Sequence, residues 1–275
     1  MSDFDEYGAY ESLSGDTDDH RWAFGTGFTD PLEGVDATVP DGVDAAALAA
    51  CCLALGDDAL IYSHRLQQWV TRAPELEEET AIANIALDLL GQARMLLTRA
   101  GQITGQSEDE LAFFRDEREF RNVRLTERAD ADFAELVARL LIFSAWRLAL
   151  FQALTASPDP VLAAIAAKGA KELAYHRDYA AGWVIRLGDG TEFSHAKTQA
   201  ALEKIWPLAA ELNVAPQAGA VLDAVFSAAT LTRPPPAAIG AVAGKTGRDG
   251  AHTEAMGYIL AELQSLARAH PEARW

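Results

Sequence analysis

The side chains able to do chemistry in this chain sit at helical spacing. Asn84, Asp88 and Gln92 recur every fourth residue along an otherwise apolar stretch, so they share one helix face. Upstream, Asp57, Asp58 and His64 interrupt an apolar run; downstream, Glu172 and His176 stand four apart. Carboxylates and imidazoles aimed into a helical bundle are the donor set of a carboxylate-bridged di-iron centre. Such a centre draws one Glu from each of two helices and a Glu-x-x-His from each of two others. That requirement is checked at every histidine by reading the residue three positions before it.

Thr17, Ile61, Leu173 and Ala267 hold that position for His20, His64, His176 and His270. His195 alone has a glutamate there, Glu192, but the pair follows the turn Gly188-Asp189-Gly190. Thr191 then reads as a helix N-cap and Glu192 as a first-turn acid. His252 follows Asp249 by three, with Gly250 between them at a helix start. The stretch carrying Asn84, Asp88 and Gln92 holds no histidine. A complete di-iron set is absent, and Asp58, His64, Asn84, Asp88, Glu172 and His176 are the candidates for a vestigial one. Two readings of them stay open. One is a hydrogen-bonded or salt-bridged core network with Arg65, Arg147 or Arg177. The other is a degenerate metal site, whose amide and imidazole groups would undercompensate a hard cation.

Other catalytic patterns are missing: no glycine-rich dinucleotide or phosphate loop and no nucleophile elbow. The run from Arg115 to Asn122 packs six charges into eight positions between aromatic residues. It reads either as a solvated, self-paired helix face or as an interface with another subunit, through Arg115, Asp116, Arg118, Glu119 and Arg121.

The elements that must position these groups are helices. Apolar spacing and breakers predict helices over 43–71, 74–100, 108–120, 130–156, 161–187, 191–206, 216–230 and 252–269, with Pro74 in the first turn of the second. Gly101 is expected to stop the second of these. No segment alternates as a strand does. Four long helices joined by short breaks predict an all-α, four-helix bundle with additional C-terminal helices over residues 43–275. Residues 1–42 differ, with eleven acids against one base, Arg21. They read as an acidic, flexible N-terminal extension, or as a segment that orders on a partner through its aromatic residues. The formal net charge of −18 opposes nucleic-acid and anionic-membrane binding. Two adjacent cysteines, Cys51 and Cys52, read as buried thiols, and the absence of a signal-peptide pattern predicts a cytoplasmic protein.

Several blocks together resemble the C-subunit family of phenylacetyl-CoA epoxidase. They are Leu55-Gly56-Asp57-Asp58-Ala59-Leu60, Pro74-Glu75-Leu76-Glu77-Glu78-Glu79 and the stretch from Ala83 to Arg94. Further on come Phe114 to Asn122, Lys171-Glu172-Leu173-Ala174-Tyr175-His176, Leu187 to Glu192 and Gly247 to Glu254. The blocks run in family order from Leu55 to the C-terminus; residues 1–42 lie outside them. The resemblance implies a ferritin-like fold and a hetero-oligomeric monooxygenase complex of aerobic phenylacetate breakdown. It implies a non-catalytic structural subunit pairing with a catalytic A subunit. The di-iron centre is then expected in that partner, flavin and iron–sulfur groups in a reductase subunit, and no cofactor in this chain. The competing reading is a self-contained, metal-dependent ferritin-like oxidase using the degenerate carboxylate and histidine set.

Overall fold

A computed structural model of the chain describes residues 32–236 and 245–273. Among these residues the structure is all-α. Eight α-helices follow one another: α1 (Ala45–Gln67), α2 (Leu76–Thr104), α3 (Glu108–Phe113), α4 (Phe133–Leu154), α5 (Pro160–Gly188), α6 (Glu192–Ile205), α7 (Pro216–Ala228) and α8 (Glu254–Ala269). The long helices form two hairpins, α1 with α2 and α4 with α5, and α2 lies beside α5. Helix α3 packs against α2, and α8 against α1 and α3; α6 and α7 pack against both α4 and α5. The bundle has the ferritin-like form expected, with the additional helices in place.

Local chemistry sets the helix ends. Asp44 caps α1 by accepting from Ala46 and Ala47 N–H at 2.9 and 3.1 Å. Asp132 caps α4 through Glu135 N–H at 3.0 Å, so this helix starts three residues later than expected. Asp159 caps α5 in front of Pro160, whose missing N–H costs nothing in the first turn. Thr191 caps α6 in a reciprocal box with Ser194. Helix α2 runs through Gly101 and stops at Gly105, which takes the left-handed conformation at φ 80°. Gly101 is there for another reason: a Cβ would collide with the Gln106 carbonyl, where the chain folds back. The expected helix over 108–120 ends at Phe113, because Arg115 turns inward.

The core is continuous across both hairpins, from Leu55, Ile61 and Leu66 through Leu89 and Leu96 to Leu140, Phe151 and Ile165. Helix α1 is the one described helix long and apolar enough to cross a membrane. It is instead a core helix, with Asp57 and Asp58 fully buried in its middle. Cys52 is buried and its thiol pKa is pushed up to about 12 by that burial, so it packs as a small apolar group; Cys51 is half-buried. Of the expected flexible extension, residues 1–31 lie outside the described residues. Leu32, Val35 and Val39 pack on the core, and Arg99 donates to the Ala37 carbonyl at 2.6 Å.

Close helix packing rests on small residues at defined points. A Cβ at Gly169 would stand 2.6 Å from the Phe151 ring, whereas one at Gly219 meets nothing within 4 Å. Gly169→Ala is expected to destabilise by about 1–3 kcal/mol, because the ring it strikes is fully buried. Gly219→Ala is expected to stabilise by about 0.5–1 kcal/mol through helix propensity and chain entropy. Urea unfolding of both variants checks the contrast.

Candidate functional site

The polar residues of the bundle centre assemble around one cation. Arg147 projects from α4 and is completely buried. Its Nε donates to Gln92 Oε1 at 3.1 Å, and one terminal nitrogen donates to the Leu55 carbonyl at 3.1 Å. The Phe151 ring lies 4.4 Å from its guanidinium carbon. Its other terminal nitrogen has no hydrogen-bond partner and stands 3.9 Å from Asp58 Oδ2. Burial pulls the Arg147 pKa down to about 10, which leaves it charged at neutral pH. On its other side Gln92 donates to Glu172 Oε2 at 2.9 Å, and Lys168 pairs with the same carboxylate. Gln92 thus relays between the α4 cation and the α5 acid.

Of the six candidate ligands, Asp58 and Glu172 join this network. Asp88 and His176 form a separate pair at 2.9 Å across the α2–α5 seam, where His176 is buried and its Nδ1 lacks a partner. His64 points away from the centre and meets Glu262 at 3.2 Å. Asn84 is exposed on α2. Arg147 is therefore the partner the core reading requires. Arg65 donates instead to the Glu127 carbonyl at 2.8 Å, and Arg177 pairs with Asp178 at the surface. Among the described residues no three His, Cys, Asp or Glu side chains converge as a metal site would need. The donor chemistry agrees, since every buried acid here already faces a guanidinium, ammonium, amide or imidazole.

A second set of buried carboxylates closes one side of the bundle. Asp57 accepts from Arg115 at 3.0 Å and from Arg121 N–H at 2.8 Å. Its neighbour Asp58 points about 100° away on the helix. It accepts from Val123 N–H at 2.8 Å and from both terminal nitrogens of Arg248 at 2.6 and 3.1 Å. The charged run is therefore no helix face. Arg115 is interior rather than available to a partner, with Phe120 stacked under its guanidinium at 4.1 Å. Arg121 is half-buried and bonds the carbonyls of Arg118 and Phe120 at 2.7 and 2.8 Å. Asp116, Arg118 and Glu119 are exposed.

Glu127 completes the closure. It accepts from Asn122 at 3.0 Å, from Thr253 N–H and Oγ at 2.7 Å each, and meets His252 Nδ1 at 2.7 Å. His252 Nε2 faces the Phe120 carbonyl at 3.1 Å. Both ring nitrogens face acceptors, a setting that favours the doubly protonated imidazolium. Burial opposes that charge, but the hydrogen bond and charge of Glu127 outweigh it and hold the pKa above the ordinary histidine value.

Asp57, Asp58, Gln92, Arg115, Glu172, Arg248 and His252 belong to the sequence blocks noted above, whereas Glu127 and Arg147 lie between them, and two comparisons extend the correspondence to the whole bundle. A family model described as phenylacetic acid catabolic protein matches residues 35–224 and 219–275. The chain belongs to the phenylacetic acid catabolic protein family. It is 42% identical over 250 residues to the C subunit of the 1,2-phenylacetyl-CoA epoxidase of Escherichia coli (strain K12). The match covers 83% of this chain and 99% of that protein. In this family member the blocks around Asp57, Arg115 and Arg248 are one clamp, made by segments far apart in sequence.

Glu127, Thr253 and the pairing of Arg248 with Asp58 had no signal in spacing. The residue three positions before His252 is Asp249, which instead accepts from Thr246 N–H at 2.9 Å. Arg248→Ala leaves Asp58 buried without its full counter-charge, and is expected to cost about 2–4 kcal/mol in urea unfolding. His252 has a raised folded pKa. Its stabilisation is thus fully present below about pH 6.5 and is lost as pH rises through the folded value. The stability gap between the parent chain and His252→Gln, measured from pH 5.5 to 9, is expected to be about 1–3 kcal/mol at the acid end and to shrink with rising pH.

Proposed function

We propose that the chain is a non-catalytic structural subunit of a phenylacetyl-CoA epoxidase, which pairs with and stabilises a di-iron catalytic A subunit. The observation that carries this reading is the Arg147 guanidinium, buried among Gln92, Leu55 and Asp58 at the bundle centre. A fixed cation stands among the acids that would otherwise face metal ions, and its hydrogen bonds occupy the amide that joins α2 to α5. The similarity to an epoxidase subunit of Escherichia coli supports the same reading. On this view the chain contributes a rigid bundle, while the oxygen chemistry and its electron supply belong to other subunits. Of the interface candidates in the charged run, Asp116, Arg118 and Glu119 are the exposed ones that a partner would meet.

Metal analysis of the chain purified alone and after co-expression with a catalytic subunit tests the proposal. The isolated chain is expected to hold well below one iron, and the co-expressed chains to purify together with iron. Two irons per isolated chain, lost on Glu172→Ala or His176→Ala, would establish a self-contained oxidase instead. Reversing Arg118 and Glu119 together is expected to weaken the complex about tenfold if this loop lies in the contact, a loss of about 1.4 kcal/mol.

A further inference from the structure

Helix α8 turns an apolar stripe outward beside the end of α3. Leu263, Leu266 and Ala267 stand at helical spacing on that stripe and share a groove with Phe113 and Phe114. The groove is open and holds about 250 Å³, room for a few apolar side chains. Leu266 is 55% exposed there and Phe114 is 41% exposed.

The floor of this groove is held in place by hydrogen bonds. The last carbonyls of a helix have no donor within it, and at the end of α3 the donors come from α8. Gln264 is buried and donates to the Ala112 and Arg115 carbonyls at 3.2 and 3.0 Å. Arg268 donates to the Phe113 and Arg115 carbonyls at 3.1 and 2.8 Å. The two elements are thereby fixed to each other while their apolar side chains stay open to an occupant, so little ordering is left to be done on binding.

Charge selects that occupant. Among the described residues, segments 108–119 and 262–273 carry seven exposed acids against two exposed bases, Arg118 and Arg268. Arg268 is already engaged by the two carbonyls and by Asp116 at 3.3 Å. Asp109 lines the groove, and Glu272 stands between two lining residues, Pro271 and Ala273. Neither acid has an ion pair among the described residues. A symmetric contact with a second copy of this chain would set these acids against one another, which is repulsive. The groove is also continuous with the loop that carries Asp116 and Arg118, so the two form one surface.

We propose that this groove seats a basic amphipathic segment of the partner subunit. Apolar side chains of the segment enter between Phe114 and Leu266, and its lysine or arginine side chains meet Asp109 and Glu272. The inference rests on the reading of the chain as a subunit, and adds to it the face used and the character of what binds there.

Affinity for the co-expressed catalytic subunit, measured with the full chain and two groove variants, tests this. Leu266→Asp is expected to weaken the complex at least tenfold at any salt concentration. Asp109→Lys/Glu272→Lys is expected to weaken it at least fivefold at low salt, with the loss shrinking in about 0.5 M salt as the charges are screened. All three positions are exposed, so both variants should unfold at the parent's urea midpoint. A complex that both variants join as tightly as the parent would overturn the groove assignment and leave the subunit reading intact. No complex with the parent chain would overturn the subunit reading and the groove assignment with it. Self-association of the parent chain that Leu266→Asp abolishes would also overturn the assignment, making the occupant a second copy.

Discussion

A guanidinium in the middle of a four-helix bundle needs acceptors supplied from every side. Arg147 takes an amide oxygen from α2 and a main-chain carbonyl from α1, and it lies near a carboxylate of α1. Removing such a group's partners leaves a charge in low dielectric, which is among the costliest defects a core can hold. The register of the hairpins is therefore tied to this one side chain. Gly169 is small where Phe151 and Gln92 approach, and Gln92 itself is turned so that its oxygen faces Arg147 and its nitrogen faces Glu172.

The same rule governs the periphery. Asp57, Asp58 and Glu127 are all fully buried, and each is answered by groups from a different segment. Two adjacent acids on one helix diverge by about 100°, so one receives Arg115 while the other receives Arg248. The loop after α3 and the segment before α8 are thereby fixed to α1, although each forms only short 3-10 turns, Glu117–Glu119, Arg124–Thr126 and Gly247–Asp249. Charge density in the 115–122 run is explained by this inward bonding as much as by solvent. Its exposed remainder is only Asp116, Glu117, Arg118 and Glu119.

Much of the bundle was legible in the sequence because helix ends depend on neighbours. Thr191 caps where the sequence places a cap, and the break at 157–160 precedes α5, whereas Asp132 starts α4 three residues later than the apolar spacing gives. Gly101 misled because glycine serves two needs: it ends helices, and it allows another backbone to approach. Here the second applies, and the stop falls at Gly105. The candidate site was legible in part. Asp58 and Glu172 reach the central network and Asp88 meets His176, whereas His64 and Asn84 face outward. The partners that decide the chemistry, Arg147 opposite Gln92 and His252 opposite Glu127, lie 55 and 125 residues apart. No local spacing encodes such distances.

The sequence by itself determined the helical class, the lack of a full Glu-x-x-His ligand set and the blocks shared with the epoxidase C subunits. Each of these depends on residue type and short-range order. Tertiary structure alone decided which acids are neutralised and by which cations. Coulomb energy and desolvation depend on distance and burial, and both are set only when helices far apart in the chain pack together.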